Sequence, residues 1–284
     1  MRVLTIFVRA GTVDYAGAES AVTELFARQL PRIEHDLLVV DNLAPRGILE
    51  SRPGRTVIGG DNTVWEFSAV DEALGYVAQG IWRFDLVNVV TSAFQQLYTA
   101  YLERFSPQVL AAIVGRNVCL GHIDCYNDAV RIGRFRSQHW LRTSFLMMPP
   151  AELKALGSFV SARHRRPWLS GCVDDPFGPG SPLDDTYRRY LRSWLLGEDI
   201  GQGVTWHRKL TLDEAGLEQF EQKALAIINE HLLSIRLRAA GCRVIDVTWL
   251  SATLASGAAP DWTCRWWDQL AQRDRDAICV AALS

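Results

Sequence analysis

Hydrophobic and polar positions follow two different periods along the first hundred residues. Short runs of β-branched and other apolar residues occupy positions 3–8, 37–40, 56–58 and 86–90, and each run predicts a buried strand. Between them, apolar residues recur at helical spacing over 18–29 and 64–79. Strands that alternate with helices predict a mostly parallel sheet with helices on its faces.

The later part of the chain predicts longer blocks. Strands are expected at 117–120, 140–148 and 244–250, and helices at 151–159, 187–196 and 217–238. The stretch 163–185 is rich in Pro, Gly, Asp and Arg without a clear period, so we interpret it as a long surface loop and a candidate lid. We expect one domain over 1–250, built from the halves 1–115 and 116–250. A Trp-rich tail follows at 251–284.

Polar residues gather where the predicted parallel strands end. They are Arg9, Gly11, Thr12, Asp41, Asn42, Asp61, Asn62, Thr91 and Ser92. Because the carboxyl ends of parallel strands meet at one edge, these loops are expected to converge there, where ligands bind in α/β sheets. Each also has a purely structural interpretation, since Asx and hydroxyl side chains commonly form turns and helix caps.

The loop at 58–62 adds a second sign of nucleotide binding. Its two glycines allow close backbone approach, and a helix carrying Trp65 and Glu66 follows directly. The start of a helix favours a phosphate or ribose oxygen. The segment 37–74 therefore indicates an enzyme that uses a nucleotide.

Composition excludes several classes of protein. The chain has 284 residues, a formal net charge of -2 and 48% hydrophobic residues, which gives ample core and argues against a nucleic-acid binder. Its six cysteines include no Cys-x-x-Cys pair, which favours reduced thiols in the cytoplasm over disulfides or zinc. The sequence shows no signal peptide and no spanning segment, and it leaves peripheral contact with a membrane open.

Candidate catalytic groups lie in the later half. His122 and Asp124 are two residues apart on a predicted strand or its exit, so they point to one side. Asp124 is the first candidate for a general base, with a buried acid paired to arginine as the alternative. His207 is a second candidate, with an exposed loop histidine as the alternative. Arg142 and Arg208 are candidates for binding a diphosphate.

With these residues in view, the chain resembles bacterial glycosyltransferases of the GT-A type, in a branch distantly similar to rhamnan-synthesis and O-antigen transferases. The segments that carry the resemblance are VRAGTVDYAGA (8–18), LVVDN (38–42), IGGDNTVWEFSAVDEAL (58–74), DLVNVVTSAF (85–94), GHIDCYND (121–128), SQHWLRTSFLMMPPAELKALGSFVS (137–161) and GQGVTWH (201–207). The resemblance implies a GT-A-like, Rossmann-type three-layer α/β sandwich with a mostly parallel central sheet and a helical C-terminal part. It also implies a nucleotide-binding half at 1–115 and an acceptor-side half at 116–250.

The resemblance further implies roles for the loops. Arg9 to Thr12 and Asp41-Asn42 would hold the base and ribose, and Asp61-Asn62 with Trp65-Glu66 would close over the nucleotide. GT-A enzymes usually bind a divalent metal through Asp-x-Asp after the fourth strand, but this chain has Thr91-Ser92-Ala93 there. The sequence therefore assigns no metal ligands and leaves the metal requirement open.

The function expected from these features is a cytoplasmic glycosyltransferase that moves a hexosyl or deoxyhexosyl group. The donor would be a nucleotide-sugar and the acceptor a saccharide or lipid-linked molecule in surface-polysaccharide synthesis. Two alternatives stay open at this point. One is an enzyme that uses SAM or another nucleotide cofactor, and the other is a catalytically inactive GT-A-like interaction protein.

Overall fold

The computed structural model describes residues 1–13, 15–96, 99–198 and 209–270. The strands are β1 (Arg2–Arg9), β2 (Glu34–Asp41), β3 (Gly47–Arg52), β4 (Arg55–Gly59), β5 (Leu86–Thr91), β6 (Val118–Ile132), β7 (Phe135–Met148) and β8 (Arg243–Asp246). The helices are α1 (Ala18–Gln29), α2 (Trp65–Val77), α3 (Pro107–Ile113), α4 (Pro150–Leu156), α5 (Asp185–Leu196), α6 (Leu217–Ala239), α7 (Val247–Ala255) and α8 (Trp266–Leu270). The strands form a single sheet in the order β3-β4-β2-β1-β5-β7-β6-β8.

The first half is the parallel part of this sheet. Strand β1 is parallel to both β2 and β5, and β2 is parallel to β4. Helix α1 packs its Val22 and Phe26 into the core on one face, whereas α2 packs Phe67 and Val70 into the core on the other. The predicted three-layer α/β sandwich around a mostly parallel sheet is therefore confirmed.

The second half extends the same sheet with a long hairpin. Strand β7 is antiparallel to both β5 and β6, and β8 is parallel to β6. The outer part of the hairpin forms a third core with α5 and α6, built around Tyr126, Trp140, Tyr187 and Phe220. Helix α6 thus connects the hairpin to the rest of the domain.

Several segments differ from the sequence prediction, among them β6 and β7, which are longer than the predicted strands 117–120 and 140–148. The exposed edge strand β3 was not predicted, because its residues face solvent and lack an apolar pattern. The predicted strand at 244–250 ends at Asp246, whose carboxylate accepts the N–H groups of Thr248 and Trp249 and so begins α7. The stretch 163–184 is a long loop as predicted, and the burial of Leu169 and Phe177 in the third core anchors it. In the described parts of the chain, no helix has the length and apolar character needed to cross a membrane.

Candidate functional site

The parallel strands end together at one edge of the sheet. Arg9 at the end of β1 is in register with Asp41 of β2, and Asp41 is in register with Gly59 of β4. Thr91 at the end of β5 lies beside Val8 of β1. The chain moves outward from β1 to β2 and β4 before it returns to β5 on the other side of β1. This reversal of strand order is where α/β proteins form a crevice for ligands.

Asp41 organises the loop after β1. Its Oδ1 accepts hydrogen bonds from the N–H groups of Gly11 and Leu43, at 2.9 and 3.1 Å, and its Oδ2 accepts one from Arg9 Nε at 2.9 Å. Burial raises the pKa of Asp41, but these donors more than offset it, so the pKa lies below its ordinary value. The structure thus brings Arg9, Gly11 and Asp41 together, while Thr12 is exposed beside them.

Asn42 connects the end of β2 to the loop before α2. Its Nδ2 donates to Asn62 Oδ1 at 3.2 Å and to the carbonyl oxygen of Trp65 at 3.1 Å. The backbone of Gly60 packs against it so closely that a Cβ there would lie 2.5 Å from Asn42 Oδ1. Gly60 is therefore required for this contact, because any other residue would displace the asparagine.

Residues of the same segment make the hydrogen bonds that hold the first turn of α2. Ser68 Oγ accepts from the Val64 N–H at 3.0 Å, and its one hydroxyl proton lies within reach of the carbonyl oxygens of Asp61 and Trp65. The Asp61 carboxylate accepts from the Thr63 N–H at 2.8 Å and pairs with Arg46. Neither Asn62 nor Thr63 caps the helix through its side chain. Trp65 has a φ of 51°, a region that bulky residues rarely adopt and that occurs mainly at functional sites.

An irregular stretch of β6 and β7 places a second group of polar residues at the same edge. The register passes from Gly121–Leu146 to Ile123–Leu141, so His122 lies opposite four residues of β7. Arg142 Nε is 2.5 Å from Asp124 Oδ2, and His122 Nε2 is 3.3 Å from Asp124 Oδ1. Burial raises the pKa of Asp124, but Arg142 and His122 hold it well below its usual range. Asp124 is therefore the acid of an ion pair, and this environment makes it a weak proton acceptor.

Glu230, on α6, approaches the same residues from the other side. Its Oε1 accepts hydrogen bonds from the Thr143 N–H at 2.9 Å and from Thr143 Oγ1 at 3.1 Å. Burial raises the pKa of Glu230 to about 7. The Thr143 N–H and Arg142 act against this rise, whereas the negative charge of Glu66 adds to it. Asp124 and Glu230 thus occupy one site with pKa values displaced in opposite directions.

Trp65 and Glu66 connect the two groups into one crevice. The Lys223 ammonium group of α6 lies 4.0 Å from the centroid of the Trp65 ring. Burial raises the pKa of Glu66, and the positive charge of Lys223 opposes that rise. Because α2 begins at Trp65, the loops that follow β2 and β4 lie directly beside the acids and cations of β6, β7 and α6.

Aromatic residues form the wall behind the crevice. The hydroxyl groups of Tyr126 and Tyr187 both lie within hydrogen-bonding distance of His231 Nδ1, at 2.5 and 2.7 Å. Burial lowers the pKa of His231 to about 3, so this imidazole is neutral near pH 7. Trp140 packs its ring 4.3 Å from the His231 ring and is itself buried. These buried side chains pack behind the site and support it.

The donor set at the end of β5 does not suit a divalent cation. Thr91 and Ser92 offer hydroxyl groups, and both oxygens of Asp124 already face Arg142 and His122. Across residues 1–13, 15–96, 99–198 and 209–270, no three His, Cys, Asp or Glu side chains are grouped as metal ligands would be.

The crevice also contains residues that the sequence did not single out. Glu230 and Lys223 lie on α6 in the stripe that includes Ala226, Leu233 and Leu237, all of which are buried in the core shared with α2. The sequence could have indicated Glu230, because helical spacing places this acid on an apolar face of the helix predicted at 217–238. His207 and Arg208 lie outside the described residues.

Comparisons with known proteins are sparse. No protein-family model matches the chain, and a search of curated proteins finds no match. Among solved structures, the chain is similar to the mannosyltransferase PcManGT from Pyrobaculum calidifontis, determined in complex with GDP-Man and Mn2+. The identity is 13% and the TM-score is 0.35, over 99% of this chain and 86% of that chain. At that TM-score the likeness says nothing about the activity of this chain.

Proposed function

We propose that the protein is a glycosyltransferase that uses a nucleotide-sugar donor in this crevice. One observation carries the proposal. The crevice at the reversal of strand order holds two acids with oppositely displaced pKa values, Asp124 and Glu230, beside two cations, Arg142 and Lys223. Acids in contrasting environments are typical of acid–base sites, and cations beside them suit an anionic leaving group.

The nucleotide would occupy the part of the crevice formed by the loops after β1, β2 and β4. Asp41 holds the loop that contains Arg9, Gly11 and Thr12, and Asn42 holds Asn62 and the start of α2. Asp61, Asn62 and Glu66 would border the ribose and diphosphate. The loop after β1 has no Gly-x-Gly-x-x-Gly pattern, which argues against a dinucleotide cofactor held on the first helix.

The diphosphate would lie against Arg142, Lys223 and the hydroxyl groups of Thr91 and Ser92. An arginine guanidinium binds phosphate oxygens through two parallel hydrogen bonds, and charges in such a site stabilise the leaving group without reorganisation. Because the end of β5 offers no carboxylate, we propose that transfer is independent of a divalent metal. His207 and Arg208 remain further candidates for the same diphosphate.

The acceptor would bind at the side of the crevice formed by β6, β7 and α6, next to Thr143 and Glu230. We propose a saccharide or lipid-linked acceptor and a role in the cytoplasm in surface-polysaccharide synthesis. In the domain that we propose for 1–250, the half 1–115 binds the nucleotide and the half 116–250 binds the acceptor. The sequence resemblance described above is the basis for this acceptor class.

The test is turnover of a donor panel by the purified protein. UDP-glucose, GDP-mannose, dTDP-rhamnose and a CMP-sugar are incubated with and without EDTA, and release of the nucleotide is measured. We expect one donor to bind and to release its nucleotide at a rate that EDTA leaves unchanged. Binding of SAM with no response to any nucleotide-sugar would contradict the proposal and favour a methyltransferase.

A matched pair of variants assigns the activity to the crevice. Arg142→Ala removes the cation beside Asp124, whereas Arg28→Ala removes an exposed arginine that pairs with the exposed Glu103. We expect the first variant to lose turnover by about 10²–10³-fold, as is typical for one charged group at a leaving group. Equal turnover in both variants would place the activity elsewhere.

A further inference from the structure

Glu230 is a carboxylate of this crevice with one oxygen available for a proton. Its Oε1 receives both hydrogen bonds from Thr143, and among the described residues its Oε2 accepts none. Oε2 is not one of the enclosed atoms without a partner, and Glu230 is only half-buried. Asp124 differs, because Arg142 and His122 face its two oxygens.

We propose that Glu230 is the general base that takes the proton of the acceptor hydroxyl. This inference rests on the proposed function and assigns a catalytic residue within it. The acceptor oxygen attacks the anomeric carbon, and the bond from that carbon to the diphosphate oxygen breaks. The electron pair of that bond leaves with the nucleoside diphosphate, and the acceptor proton passes to Glu230 Oε2.

The position of Glu230 suits this role. Thr143 fixes the carboxylate through one oxygen, so the other is held in a defined direction, as a base must be to reach its substrate. Arg142, the neighbour of Thr143 in β7, pairs with Asp124 and supplies the charge for the leaving group. Base and leaving-group cation thus come from adjacent elements on one side of the crevice.

The electrostatic surroundings of Glu230 agree with this geometry. Burial raises its pKa to about 7, where a base is half ionised at neutral pH. Among the described residues, the charged or titratable groups that act on it or respond to it are Glu66, Tyr101, Tyr126, Arg142, Tyr187 and Tyr190. Only Arg142 among them is a cation, so the pair of acids formed with Glu66 keeps the proton affinity of Glu230 high.

The test uses Glu230→Gln, Glu230→Asp and the control Glu218→Gln. A glutamine keeps an oxygen for both Thr143 hydrogen bonds, so Glu230→Gln should fold, and circular dichroism checks this. Glu218 is on the same helix but is exposed and paired with Arg165. Each variant is assayed from pH 5 to 9 for kcat on the donor that the wild type turns over, and for donor Kd by calorimetry.

We expect Glu230→Gln to lower kcat by about 10²–10⁴-fold, the usual contribution of a general base, with donor Kd within about threefold of the wild type. The rise in wild-type rate through pH 7 should disappear in Glu230→Gln, return at a lower rate in Glu230→Asp and be unchanged in Glu218→Gln.

Three results would overturn the assignment. If the wild type turns over a donor and Glu230→Gln keeps both its kcat and its rise with pH, Glu230 is not the base, although the proposed function stands. If the rise with pH disappears in Asp124→Asn but not in Glu230→Gln, the base is Asp124. If the wild type neither binds nor turns over any donor of the panel, the proposed function fails and the assignment of the base fails with it.

Discussion

Replacing Glu230 with glutamine should stabilise the protein at alkaline pH, because the folded structure works against the ionised carboxylate. The pKa of Glu230 is raised from its ordinary value of 4.5 to about 7. The folded state therefore binds this proton more tightly than the unfolded state does. Stability from that proton is fully present below pH 4.5 and is lost as the pH rises through 7.

The size of the effect follows from the same values. Each pH unit of pKa difference corresponds to about 1.36 kcal/mol, so an ionised Glu230 costs the folded protein on the order of 3 kcal/mol at pH 8. Glutamine keeps the Thr143 hydrogen bonds in a weaker, neutral form, which reduces the gain to about 1–3 kcal/mol. Since about 1 kcal/mol shifts the Tm of a domain somewhat smaller than this one by roughly 2–4 °C, the variant should melt several degrees higher.

Calorimetric or fluorescence melting at pH 4.5 and pH 8 measures this directly. The wild type and Glu230→Gln should melt at nearly the same temperature at pH 4.5, and the variant should melt higher at pH 8. The control Glu218→Gln should follow the wild type at both values. A Glu230→Gln variant that is no more stable than the wild type at pH 8 would show that the carboxylate is not strained by its surroundings.

Three further predictions concern the rest of the crevice. Asp41→Asn should weaken donor binding, because it removes the ion pair with Arg9 that holds the loop after β1, and calorimetry of the donor measures the change. The pKa of Asp41 lies below its ordinary value of 3.8, so the ionised carboxylate stabilises the folded state above pH 3.8, and this stabilisation is lost as the pH falls through the pKa of the folded state. The difference in Tm between Asp41→Asn and the wild type should therefore become smaller in strong acid. Gly59→Ala should cost about 1–3 kcal/mol or more in urea unfolding, since a Cβ there would lie 1.7 Å from the carbonyl oxygen of Pro45, whereas Gly75→Ala, which meets nothing within 4 Å, should be neutral or slightly stabilising.

The parallel half of the fold was readable from sequence because its signals are local. Helices α1 and α6 begin where the periodicity predicts, at Ala18 and Leu217. The loops after β1, β2, β4 and β5 could be grouped because parallel strands must end at the same edge. The predicted strand 244–250 was too long, because the Asp246 side chain caps the N-terminus of α7 and so ends β8.

The sequence indicates only part of the candidate site, because pairing in this site depends on tertiary contacts. Asp124 and Arg142 stand out as polar residues within strands, but which residues pair depends on the shift of register between β6 and β7. With that shift, the candidate base Asp124 lies beside Arg142 and His122 as the acid of an ion pair. Glu230 is separated from Thr143 by 87 residues, so no local pattern connects the two. Only the packing of α6 on β7 brings them together.

Locating the bound nucleotide would show directly whether the donor occupies the crevice. The protein is crystallised with the nucleoside diphosphate of the donor that it turns over, and the density is mapped. We expect the nucleobase to lie between the loops that contain Asp41 and Asn62, and the diphosphate to lie beside Arg142 and Lys223. Density in the surface groove between β3 and α2, lined by Ile48 and Tyr76, or no binding of any nucleotide, would contradict the account.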